Sequence, residues 1–163
     1  MHRRSASTLV VVGLASVFAL LPLTPACADD AADMAGVKAA SDAFYTALAV
    51  LDDGAAMSKV WAHTPYVTFV GPRSQKIIVG WDDLAKYWAK SNGLFKVRTA
   101  KLDDDHIHVS GALAWEVGHE SGDTVMADGT TGKSDWVTTN VFEKQADGTW
   151  LSVSHHVQPG AKK

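Results

Sequence analysis

"DGTWLSVSHHVQP", residues 147–159, is the stretch on which the fold turns. Asp147-Gly148 is a tight-turn pair, and the alternating run after it reads as a β-strand entered from a hairpin. Successive strand side chains point to opposite faces, so His155 and His156 serve opposite sides of a sheet. Leu151, Val153, His155 and Val157 make the apolar face and are assigned to the interior. Trp150, Ser152, Ser154 and His156 make the other face. The closing strand therefore carries one imidazole into the protein and one out of it.

The same grammar repeats upstream. "SDWVTTNVFEK" (134–144) follows the hairpin pair Asp128-Gly129, and "ALAWEVGHES" (112–121) follows the turn Ser110-Gly111. "LFKVRTAKL" (94–102) and "HIHV" (106–109) read as one long or bulged strand, which completes a meander of four antiparallel strands. In "ALAWEVGHE" the bulky set Trp115, Val117 and His119 opposes Ala114, Glu116 and Gly118. We assign the bulky set inward, because an apolar face is the one a sheet buries. In "SDWVTTNVF" the set Trp136, Thr138, Asn140, Phe142 and the set Val137, Thr139, Val141, Glu143 are balanced, and alternation alone leaves both open.

The first half of the chain is helical in pattern. "AGVKAASDAFYTALAVLDDG" (35–54) repeats Val37, Ala40, Phe44, Ala47, Leu48 and Leu51 at three- and four-residue steps and stops at Gly54. Asp29 to Met34 reads as a frayed lead. "AAMSKVWAHTP" (55–65) predicts a second, shorter helix ended before Pro65. "YVTFVGPRSQKIIVG" (66–80) predicts a hairpin around Gly71-Pro72, and "WDDLAKYWAKSNG" (81–93) a third helix with Trp81, Leu84, Ala85 and Trp88 on one face. Helices segregated from antiparallel strands mean an α+β fold with helices on one sheet face.

Residues 1–28 read as a signal peptide: basic "MHRR", the apolar run "LVVVGLASVFALL" and the triplet Ala26-Cys27-Ala28. The apolar run is shorter than the ~20 residues a membrane-spanning helix needs. Cys27 is a lipid-anchor candidate only through a poor lipobox, Thr24-Pro25-Ala26. The expected product is a periplasmic or secreted single domain, residues 29–163. Of the 15 basic and 18 acidic residues in the whole chain, only Arg3 and Arg4 leave with the leader, so the mature domain is mildly acidic. Without a basic stripe, nucleic acid and, once the leader is gone, membranes are not expected partners. The single cysteine leaves as well, which excludes disulfides and a cysteine nucleophile. His106 and His108 share a strand face, a metal-site geometry that would need His119 or His155 as a third ligand; no carboxylate is secured beside them, and no metal is expected. "LDDDH" (102–106) and "DGTTGKSD" (128–135) lack calcium-loop spacing, and "TGKS" (131–134) lacks the upstream glycine of a phosphate loop.

Three stretches carry a family resemblance. "FYTALAVLDDG" (44–54) through "VWAHTPYVTFVGP" (60–72), "VGWDDLAKYW" (79–88) and "DGTWLSVSHHV" (147–157) resemble the paired helices, third helix and closing strand of the nuclear-transport-factor-two-like superfamily, in its SnoaL-like and ketosteroid-isomerase-like branch. The resemblance spans Val37 to Gln158. It implies a cone, three N-terminal helices packed in a curved antiparallel sheet, with an apolar pocket inside and a homodimer outside. It also implies that Asn140 faces the pocket near the place of the family's acid, and that Tyr45 stands where the oxyanion tyrosine lies. The family's carboxylate base should come from the first strand or its turn, yet residues 62–81 contain no Asp or Glu. A histidine is the natural replacement near neutral pH. His155 and His119 are the candidates, with His63 at the rim, and Trp88, Trp115, Val117 and Trp136 are expected as pocket wall. The expected function is binding of a small, largely apolar organic molecule. The alternatives are a cofactor-independent isomerase, cyclase or dehydratase, and an oligomerisation module.

Overall fold

The computed structural model describes residues 27–160, with side chains from residue 30 onward. The expected leader lies outside the described residues, except that Cys27 and Ala28 begin the first helix, α1 (Cys27–Ala49). α1 buries Val37, Ser41, Phe44, Tyr45, Ala47 and Leu48, the three- and four-residue spacing of one helical stripe. It extends through the stretch expected to fray, where Asp33 pairs with Lys144 at 2.5 Å. It also stops before Gly54, because the Asp52 carboxylate accepts the N–H groups of Gly54 and Ala56 at 2.8 and 2.9 Å and turns the chain.

The second expected helix shrinks to one turn, α2 (Ala55–Ser58). Beyond it the backbone of Val60 and Ala62 bonds to Ser152 on either side of a Trp61–Ser152 bridge, so the sheet takes these residues from the helix. β1 (Thr68–Val70) and β2 (Ile78–Val79) form the expected hairpin, and α3 (Trp81–Ser91), ended by a 3₁₀ turn at Asn92–Leu94, forms the expected third helix. β3 (Phe95–Arg98) and β4 (Lys101–Ser110) are two strands where one was expected, both pairing with β5 (Leu113–Met126). At the break between them the Thr99 carbonyl crosses β5 so closely that a Cβ at Gly122 would lie 2.0 Å from it. Only glycine fits there.

β6 (Thr131–Lys144) and β7 (Trp150–Pro159) complete the sheet, in the order β2-β1-β7-β6-β5-β3 with β4 also on β5. It is a strongly curled, mixed sheet of an α+β fold. The sheet, expected to be antiparallel, is parallel along one edge of β7: β1 runs parallel to it, as does the Trp61–Ser152 bridge, because α3 and the meander intervene between β1 and β7. That register puts Phe69 beside His155 and Thr68 beside Ser154. The interior has two apolar clusters. One gathers Phe44, Leu48, Trp61, Phe69, Leu84 and Trp88 around α1, α3 and β1; the other gathers Val37, Ala114, Phe142 and Trp150 near the start of α1. Trp150 was expected outside. A register shift opposite Val141 and Phe142 reverses the alternation of β7, so Trp150 and Ser152 are buried with Val153 and His155. Among the described residues no helix is long and apolar enough to cross a membrane.

Candidate functional site

A polar seam runs between the two apolar clusters, from α1 across β5, β6 and β7. β5 presents Ala114, Glu116, Gly118 and Glu120 to the interior and leaves Trp115, Val117 and His119 outside, the reverse of the expected facing. Glu116 is 0% exposed and Glu120 5%, while Trp115 is 43% exposed. The interior is not apolar at this level: α1 and β6 supply hydrogen-bond donors that a tryptophan could not use and a carboxylate can. Ser41 donates to Glu116 Oε2 at 2.7 Å, and Asn140 Nδ2 donates to the same oxygen at 2.9 Å. Four residues on, Tyr45 and Thr138 donate to Glu120 Oε2 at 3.3 and 3.2 Å.

Asn140 joins the two halves. Its Nδ2 also reaches the Tyr45 hydroxyl at 3.3 Å, which leaves Oδ1 as the acceptor for His155 Nδ1–H at 2.7 Å. The imidazole tautomer follows: the proton sits on Nδ1, and Nε2 keeps its lone pair. Burial, helped by the charge of His156, lowers the His155 pKa to about 3, so the ring is neutral. His155 Nε2 stands 3.9 Å from Glu120 Oε2. With a neutral imidazole this is no ion pair, and the gap is too long for a hydrogen bond. Burial also raises both carboxylates above the ordinary glutamate range, against the hydrogen bonds and, for Glu120, the Arg98 charge that pull them down. Burial and the Glu120 charge push the Tyr45 phenol up, so it stays protonated.

Glu120 and His155 line a cleft of about 350 Å³. Its walls include Leu48, Phe69, Tyr87, Trp88, Phe95, Arg98 and Trp136, with Arg73 and Lys133 at the mouth. Phe69 lies nearly parallel to the imidazole at 5.4 Å, and Phe44 covers its flank at 4.9 Å. Tyr45 and Asn140 are not in the wall; their polar atoms are committed to Glu116, Glu120 and His155, so they position the lining groups. The arrangement sets an unprotonated Nε2 beside a buried carboxyl group whose affinity for a proton is raised, two groups placed to exchange protons with a bound molecule.

Of the residues singled out from the sequence, the fold thus brings Tyr45, Asn140 and His155 together, with Trp88 and Trp136 in the cleft wall. His119 is excluded, since it sits on the outer face with Nε2 3.1 Å from Asp135. Val117 and Trp115 are outside with it, the latter against His108 at 4.3 Å between ring centroids. His63 is exposed, stacked on Trp81 at 4.1 Å, with Nε2 2.8 Å from the Ser58 carbonyl at the end of α2. Sequence reasoning missed Glu116, Glu120 and Arg98. Among the described residues no group of three His, Cys, Asp or Glu side chains is placed to hold a metal ion.

Comparison with known proteins agrees with this architecture. A family model described as SnoaL-like domain matches residues 37–159. A nuclear transport factor 2-like superfamily protein from Salmonella enterica superposes with a TM-score of 0.73 at 22% identity, covering 82% of this chain and 94% of that one. A candidate dehydratase of the NTF2-like family from Streptomyces avermitilis gives 0.71 at 24% identity, over 82% and 99%. The association domain of C. elegans CaMKII gives 0.61 at 13% identity, over 80% and 98%. At these identities the likeness is one of fold. Among curated proteins none matches.

Proposed function

Because the chain belongs to the SnoaL-like domain family, we propose that it binds a small, largely apolar organic molecule in the cleft floored by Glu120 and His155. One observation carries the reading: two buried proton-exchanging groups meet at the inner end of an aromatic-walled cleft of about 350 Å³. That volume suits a ligand of one or two rings, held by stacking and oriented by a few polar groups. Nitrogen-15 NMR titration with a panel of cyclic ketones, phenols and aromatic acids tests it. Shifts should centre on Phe69, Trp88 and His155. Shifts confined to the outer face around Trp115 and His119, or none with any compound, would overturn the reading.

A second reading, a cofactor-independent isomerase, cyclase or dehydratase, is favoured by the 3.9 Å separation of Nε2 and Oε2. Nε2 would take a proton from carbon or hydroxyl while Glu120 delivers one to oxygen, so that the ligand's net charge is unchanged. Binding without turnover should survive in H155Q, whereas solvent-deuterium incorporation into the ligand should be lost. Export and dimerisation belong to the same proposal. The leader-like start supports export after residue 28, and the exposed Trp115 face supports a homodimer. The likeness to an association domain supports an oligomerisation module instead. Native mass spectrometry of the protein recovered from its own cells reads the mature mass, subunit number and retained ligand together.

A further inference from the structure

The cleft carries a charge pattern at odds with the rest of the molecule. The chain is acidic, with 18 carboxylates against 15 cationic residues, yet the cleft is lined by Arg73, Arg98 and Lys133 against a single carboxylate, Glu120. Lys133 is already partnered by Asp123 at 3.3 Å. The two arginines are not: among the described residues, neither guanidinium has a carboxylate within ion-pair distance. Arg98 is half-buried, with Nε on the Leu48 carbonyl at 2.6 Å and Nη2 on Asn92 Oδ1 at 2.7 Å. Both acceptors are neutral, and they use two of the five N–H donors a guanidinium offers. Clamping the end of α1 explains those two bonds; the charge is compensated only in part, by Glu120 from beyond ion-pair distance, which is costly at a half-buried position. Arg98 lies 5.0 Å from the Phe95 ring centroid and 5.8 Å from that of Trp88, and Arg73 covers Phe95 from the mouth at 5.9 Å.

We infer that the ligand is an anion: an organic carboxylate whose ring lies among Phe69, Trp88 and Phe95 and whose carboxylate pairs with Arg98 and Arg73. This rests on the cleft being the binding site and adds the chemical class of what it binds. Guanidinium groups pair with carboxylates through parallel hydrogen bonds, and stacking on aromatic rings holds the fork in place for them. An anion at this point would supply the close counter-charge that Glu120, beyond ion-pair distance, does not. It would enter with its ring toward His155 and Glu120.

Calorimetric titration of the purified full chain with 2-naphthoate and its neutral counterpart 2-naphthamide, at pH 7, tests the inference. The carboxylate should bind about tenfold more tightly, the factor that one charge-assisted contact of about 1.4 kcal/mol gives. In R98Q the preference should fall to about twofold or less, and in R73Q by about threefold. R98Q also removes the clamp on α1, so the wild-type preference and the exposed R73Q site decide the matter should R98Q unfold. Equal or tighter binding of the amide, with shifts still mapping to Phe69 and Trp88, would overturn the anionic ligand and leave the binding cleft standing. No binding of either compound, nor of any in the panel above, would overturn both.

Discussion

Glu116 and Glu120 occupy the same face of β5, and α1 serves both with side chains likewise four residues apart, Ser41 and Tyr45. β6 adds a donor to each, Asn140 and Thr138. Residue type, strand and partners are matched, and the difference lies in what borders each carboxylate. Glu116 sits beside the Val37–Ala114–Phe142–Trp150 cluster with Oε1 buried and unpartnered. Glu120 forms part of the cleft wall. The pair shows how one strand makes a structural carboxylate and a chemically available one from the same residue: the second lies where the apolar packing stops.

Removing each carboxylate breaks this comparison most directly. E116A leaves two buried donors without an acceptor and a void in the buried seam, and should cost about 4 kcal/mol in urea unfolding. E120A opens toward solvent that can satisfy Tyr45 and Thr138, and should cost about 2 kcal/mol. Equal losses would show that the two sites are equally sealed.

The next effect is a slope with pH. A lowered His155 pKa gives stability that is full above 6.5 and is lost as pH falls toward about 3, by up to about 1.4 kcal/mol per pH unit. The raised carboxylates act in the opposite sense: their contribution is full below the ordinary value of 4.5 and is lost as pH rises through their folded values. Thermal unfolding followed from pH 7 to 4 should therefore decline less steeply in H155Q than in the wild type. E116Q should remove part of the opposing trend, so that its stability declines more steeply on acidification.

The smallest effect sharpens the cleft side of the comparison. Y45F removes one donor to Glu120 and one acceptor for Asn140, and should cost about 1 kcal/mol. It should also raise the Glu120 pKa further, read by carboxyl carbon-13 shifts, while leaving Glu116 unmoved because Ser41 and Asn140 still hold it.

Much of the frame was legible from spacing alone: α1 and α3 by their three- and four-residue repeats, and the β6 and β7 turns by Asp128-Gly129 and Asp147-Gly148. The interior facing of His155 followed from alternation. The facing of β5 did not, because the rule that apolar residues go inside assumes an apolar interior. Here the interior at β5 is a hydrogen-bonded seam, so Glu116 and Glu120 displace Trp115 and His119. The turn hid the register as well. A three-residue loop, 127–129, closed between Met126 and Thr130, sets Asn140 opposite Glu116, and residues directly opposite share a face; a two-residue turn at Asp128-Gly129 would set Asn140 opposite Val117 instead. Trp150 was unreadable for another reason, since the bulge opposite Val141 and Phe142 leaves no mark in composition. Arg98 was missed because the strand was read straight through the break at Thr99, where the chain turns its guanidinium into the cleft.

The parallel junction of β1 with β7 has a consequence for assembly. Three residue pairs, Thr68–Ser154, Phe69–His155 and Val70–His156, join segments 86 positions apart along the chain. Closing so long a loop is entropically expensive and returns few contacts, so this seam should zip late in folding and fray early on unfolding. Amide exchange at Phe69 should then be faster than along β5 and β6. The stacked imidazole is enclosed only when the first and last strands have met, so a nascent chain, or one cut short of β7, would lack the chamber.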